Sequence, residues 1–158
     1  MSDSCGHHHP DGPPAAAAVA RAMQDADRRL TAEGERMTPP RLRVLELLLA
    51  AGEPVKAYDL IARFGEDGQP AKPPTVYRAL EFLERKGLAH RIASISAYVA
   101  CTSGAADHAA AFLICDCCGA TAEVSAPVAD DLGRAAESAG YAIDRTTIEA
   151  HGRCPACR

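Results

Sequence analysis

The sequence has no apolar run approaching the roughly 20 residues that a membrane span needs, so no membrane anchor is expected. Its polar N-terminus lacks the charged start and apolar core of an export signal, and the expected location is the cytoplasm. It also lacks a general excess of basic charge. The net charge over 158 residues is −4, which argues against a non-specific nucleic-acid coat. There is no H-E-x-x-H, and no H-x-E followed by P-C-x-x-C. Those compact motifs keep a metal position open beside an acid or base, so a metal-dependent hydrolase or deaminase is set aside and no catalytic residue is assigned. No internal repeat is present either.

Cysteine, by contrast, is abundant. There are seven, and six lie after residue 100. An odd count without an export signal points to metal ligation in a reducing compartment rather than to a disulfide scaffold. Cys115-x-x-Cys118 and Cys154-x-x-Cys157 form two knuckles separated by 35 residues. Two-residue spacing lets both thiolates of a pair reach one Zn²⁺, and two pairs complete a closed tetrahedron, so a structural zinc is expected. Gly119 suits the tight turn after Cys118. Cys117 is left over, either as a substitute for Cys115 or Cys118 or as a spare thiol.

The pattern of caps and apolar spacing divides the chain. Residues 1–13, which include Cys5-Gly6-His7-His8-His9, read as a disordered tail. An Ala-rich helix is expected from Pro14 to about Glu35. A second is expected between the cap at Thr38 and Gly52, a short third over Ala57–Phe64, and a fourth from Pro73-Pro74 to Gly87. The fourth shows Val76, Ala79, Leu80 and Leu83 at core-facing spacing. Strand-like runs Leu88–Ile92 and Ala97–Cys101 follow, so three helices and a hairpin describe a winged helix over residues 14–102. After a hinge at 103–107, strands at Ala111–Cys115, Thr121–Ser125 and Ala142–Ala150 flank a helix at Pro127–Ala139. Residues 108–158 are thus a small α/β domain, and the class is α+β.

Charge singles out the middle of the chain: residues 36–91 carry ten Lys/Arg against seven Asp/Glu, the one basic stretch. Within it lies Lys72-Pro73-Pro74-Thr75-Val76-Tyr77-Arg78-Ala79-Leu80. On charge and periodicity alone this is an ordinary amphipathic helix. The run resembles the K-P-x-T-V-Y-R-x-L signature of recognition helices in the Fur (ferric uptake regulator) family, and its double proline is similar to the zinc uptake regulator branch. An Arg near the start of a helix in the major groove can grip guanine O6 and N7, which suits Arg78. Thr75 and Tyr77 suit phosphate contacts, and the resemblance adds Tyr58 as a second contact.

The resemblance covers about residues 36–158 and implies a second metal site. Relatives hold a regulatory zinc through a His after the recognition helix, a Cys ending the wing, a His in the linker and a Glu past the first knuckle. The matching residues are His90, Cys101, His108 and Glu123. A set of two nitrogens, one sulfur and one oxygen suits Zn²⁺, and the thiolate argues against an iron or manganese site. Two zinc ions per monomer are therefore expected, Cys115, Cys118, Cys154 and Cys157 holding the structural one. A further, His-rich linker site is not expected, and His151 is read as a structural neighbour of the second knuckle. The family implies a homodimer on double-stranded DNA with a palindromic operator, and repression of zinc-uptake genes with zinc as co-repressor. Sensing of iron, nickel or peroxide by the same family is the nearest alternative. A zinc-ribbon interaction module would explain the knuckles but not the winged-helix half.

Overall fold

The computed structural model describes residues 14–65, 70–101, 110–125 and 128–158. The expected tail, the hinge at 103–107 and His108 lie outside the described residues. The chain forms two compact units, Asp11–Ala106 and a second that takes in Asp107–Arg158.

The first unit runs α1 (Ala16–Ala32), α2 (Pro39–Ala51), β1 (Val55–Lys56), α3 (Ala57–Arg63), α4 (Pro73–Arg85), β2 (Ala89–Ile92) and β3 (Ala97–Ala100). The helix limits follow the punctuation. Thr38 is extended at the start of α2, with Pro39 and Pro40 in the first turn, where missing N–H groups cost nothing. Gly52 ends α2 at φ 63°, and its N–H donates to the Leu48 carbonyl at 3.3 Å. On α4, Val76, Ala79, Leu80, Phe82 and Leu83 are buried. They meet Leu30 of α1, Val44, Leu45 and Leu48 of α2 and Leu60 of α3 in one core. β2 and β3 pair antiparallel, Ala89 opposite Ala100 and Ile92 opposite Ala97. β1 adds a third strand, Val55 opposite Tyr98, so the wing is a three-stranded sheet in the order β1-β3-β2 rather than a bare hairpin.

The second unit runs β4 (Ala110–Cys115), β5 (Thr121–Val124), α5 (Val128–Ser138) and β6 (Thr147–Gly152), closed by a single 3-10 turn at Pro155–Cys157. β4 is central, antiparallel to β5 and parallel to β6. The last strand starts at Thr147, five residues later than its apolar pattern suggests. Pairing with β4 begins only where Ala110 meets Thr147, and Tyr141 to Arg145 stay exposed.

Candidate metal centres and recognition helix

Register builds the cysteine centre. β4 ends at Cys115, which lies opposite Gly152 at the end of β6, two residues before Cys154. Each strand end then turns back on itself. The Gly119 N–H donates to the Cys115 carbonyl at 2.9 Å with Gly119 at φ 76°, a left-handed conformation that glycine adopts without strain. On the other side Cys154 starts the 3-10 turn, and the Cys157 N–H donates to the Cys154 carbonyl at 2.9 Å.

The sulfurs of Cys115, Cys118, Cys154 and Cys157 consequently lie within 4.8 Å of one another. Cys118 Sγ and Cys154 Sγ are 3.7 Å apart. A tetrahedron with Zn–S bonds of about 2.3 Å has edges of about 3.8 Å, so the free thiols fit zinc. Electrostatics agree. Backbone N–H groups of Cys118 and Cys154 aimed at its sulfur hold the Cys115 thiol down at about 6. Burial, then the neighbouring sulfurs, pushes Cys157 up to about 12. Four thiolates this close require a cation between them. Cys117 is exposed, and its sulfur is not one of the four that lie together. His151 Nδ1 and Asp116 Oδ1 are 2.9 Å apart, tying β6 to the first knuckle, which fits a structural role for His151.

The wing carries a second group of ligand atoms. Gly87 at φ 63° turns the chain from α4 into β2, which holds His90. Cys101 directly follows β3, and its N–H donates to the Leu88 carbonyl at 3.0 Å. A His90 ring nitrogen and the Cys101 sulfur thereby lie within 4.8 Å of each other, a nitrogen and a soft sulfur that suit zinc. Glu123 sits half-buried on β5, opposite Phe112, in the second unit.

On α4 the apolar face is buried, leaving Arg78 exposed and Tyr77 50% exposed. Tyr58, in the first turn of α3, is 78% exposed. Exposed aromatic rings and an exposed arginine on these two helices offer groups suited to stacking and polar contact. Thr75 is only half-buried, and its N–H donates to the Lys72 carbonyl at 2.9 Å. Sequence reasoning missed the side chains that hold these helices: Arg43, which donates to carbonyls at the end of α3, and Arg29, which donates to the Lys86 carbonyl just after α4. Nothing in the spacing of either arginine signals its partner.

A winged-helix unit joined in one chain to a four-thiolate metal module defines a class of metal-linked regulators. The chain belongs to the ferric uptake regulator family, whose model matches residues 32–151. It is 39% identical over 137 residues to the zinc uptake regulation protein of Escherichia coli (strain K12), spanning 85% of this chain and 80% of that one. A ferric uptake regulation protein of Synechococcus elongatus is 29% identical, over 82% and 90% of the two chains. Among solved structures, a zinc uptake regulator complexed with zinc and DNA superposes at a TM-score of 0.79 with 38% identity, covering 87% of this chain and 93% of that one. The holo form of XcZur gives 0.72 with 39% identity, over 84% and 94% of the two chains.

Proposed function

We propose that this protein is a zinc-responsive transcriptional repressor that binds double-stranded operator DNA as a homodimer, in the cytoplasm, with zinc as co-repressor for zinc-uptake genes. The observation that carries the reading is the His90–Cys101 pair. Both residues lie on the wing that directly follows α4, and one of them offers a cysteine sulfur, a ligand type that selects zinc over harder metals. The likeness to zinc uptake regulators along most of the chain supports it.

In this reading residues 14–102 are the DNA-binding domain and residues 108–158 the dimerisation and zinc-binding domain, joined by a hinge at 103–107. Arg78 reads bases in the major groove, while Tyr58, Thr75 and Tyr77 contact DNA beside it. Each monomer takes two zinc ions. Cys115, Cys118, Cys154 and Cys157 hold one that fastens the end of β6 to β4. His90 and Cys101 hold the other together with His108 and Glu123 of the second domain. Bound there, zinc supplies a divalent charge that fixes four side chains in one arrangement. If that arrangement favours the DNA-binding geometry, metal and DNA must strengthen each other's binding by the same factor.

The test is retention of a zinc-uptake promoter fragment against buffered free zinc, for wild type and Cys101→Ser, with zinc per monomer counted on the same samples. Wild type should switch on with zinc, holding two ions. Cys101→Ser should hold one ion and lose the switch. Retention that follows iron and ignores zinc would overturn the zinc reading while leaving the family intact.

A further inference from the structure

α3 is short, and it carries Tyr58. It has seven residues, of which Ala57 and Leu60 are buried. A helix leaves its last four carbonyls without partners inside the helix. Three carbonyls at the end of α3 find partners outside it. The Ile61 carbonyl accepts from the Ala71 N–H at 3.1 Å, just before α4. The other two share one guanidinium: Arg43 Nε donates to the Phe64 carbonyl at 2.9 Å, and its Nη2 to the Arg63 carbonyl at 3.2 Å. Arg43 Nη1 meets Glu46 Oε2 at 2.7 Å, one turn further along α2, which fixes the plane of the fork.

We infer that Arg43 is the positioning residue that sets the pose of α3, and with it Tyr58, and so sharpens operator discrimination without touching DNA itself. The inference rests on the reading of α3 and α4 as the DNA-contacting helices. From the Arg63–Phe64 end to Tyr58 is five to six residues, about 8 Å, so a tilt of roughly 10° shifts Tyr58 by roughly 1.5 Å relative to that end. Recognition constellations tolerate about 0.5 Å. Ala57 and Leu60 are buried and Ile61 and Phe64 pack partly buried against the same core, but apolar contacts of this kind carry little directional preference. The guanidinium supplies a directional restraint at the far end, since two carbonyl bonds in one plane fix orientation as well as distance. A lysine here would keep the charge and lose the fork.

The experiment uses the full-length, zinc-loaded protein and two duplexes: one selected by wild type from a random-sequence pool, and a scrambled one of equal length. Affinities are corrected for active fraction, and melting and zinc content are recorded alongside. Arg43→Met and Arg43→Lys should each weaken binding to the selected duplex on the order of tenfold, and to the scrambled one by less than about twofold. In a Tyr58→Ala background, adding Arg43→Met should cost less than about twofold on the selected duplex, because the position it guards is empty. Equal losses on both duplexes, additive losses with Tyr58→Ala, or full discrimination in Arg43→Lys would each overturn the inference. If Arg43→Met fails to fold, Arg43→Lys carries the same comparison. Failure of wild type to select any duplex would overturn the DNA-binding reading itself, and this inference with it.

Discussion

The two units of this chain are held together by different means. In the first, α1–α4 and the wing bury a continuous set of leucines, valines and alanines, and nothing beyond the chain is needed to close that core. In the second, the buried apolar residues among those described are Ala110, Ala111, Phe112, Ile114 and Cys115, all on one strand. Its larger apolar side chains Leu113, Val124, Leu132, Tyr141 and Ile143 remain exposed. So few buried residues are thin support for a unit this small. What it lacks in core the proposed reading supplies at Cys115, Cys118, Cys154 and Cys157, whose sulfurs lie within 4.8 Å of one another, so that a zinc ion held there would join the end of β4 to the segment after β6. In the proposed homodimer the exposed apolar side chains have a natural cover in the partner chain.

Metal removal tests this contrast most severely. Structural zinc binding is linked to folding with apparent free energies of about 10–16 kcal/mol in small zinc modules, more than a unit of this size gains from packing alone. Stripping zinc with a strong chelator, or replacing Cys154 by Ser, should abolish amide-exchange protection in β4, β5 and β6. Protection in α2 and α4 should survive. Retained protection in β4–β6 after zinc removal would show that the second unit folds on packing after all.

The converse experiment lies in the first unit. Leu80 is 1% exposed at the centre of its core, and truncating a buried leucine costs about 2–5 kcal/mol. Leu80→Ala should lower the thermal transition of the first unit and leave the zinc held by the four cysteines unchanged. Loss of that zinc in Leu80→Ala would mean that the two units unfold as one.

Much of this contrast is legible in the sequence, for physical reasons. Helix limits could be read because Pro39-Pro40, Pro73-Pro74, Gly52 and Gly87 constrain the backbone locally, whatever surrounds them. The cysteine centre could be read because a C-x-x-C pair brings its own geometry. What was not legible depends on tertiary register. β1 is two residues long and exists only because Val55 meets Tyr98. The start of β6 is set by its partner on β4 and not by the apolar run that precedes it. The arginines that hold α3 and α4 bond to backbone carbonyls, which carry no sequence signal.

The exposed apolar residues offer a milder test. Leu132 on α5 is 47% exposed, so Leu132→Glu should change monomer stability by no more than about 0.5 kcal/mol. If α5 faces the partner, the same change should raise the dimer dissociation constant by on the order of tenfold, measured by sedimentation, because a buried charge without a partner is strongly disfavoured. An unchanged constant would move the dimer contact away from α5.

The smallest expected effect belongs to a charged clasp that spans elements of the first unit. Lys86, just after α4, lies 3.1 Å from Glu33 and 3.0 Å from Glu35, both beyond the end of α1. The Lys86 hydrogen bond holds the Glu35 carboxyl below its usual value, and the bonds to Glu35 and Glu33 raise Lys86 above its own. For Glu35 the stabilisation is present above the unfolded carboxylate pKa and fades as pH falls through the lower folded value. For Lys86 it is present below the unfolded ammonium pKa and is lost as pH rises through the higher folded value. The clasp should therefore act evenly across neutral pH and weaken only in strong acid or strong base. All three side chains meet solvent, so high salt should screen it as well. Comparing the first unit's melting in wild type and Lys86→Met at neutral and acidic pH should show a small gap that closes in acid, while the second unit's transition stays put. A gap that widened in acid would reverse the sign assigned here, and α4 would owe its anchoring to Arg29 on the Lys86 carbonyl and to the apolar core alone.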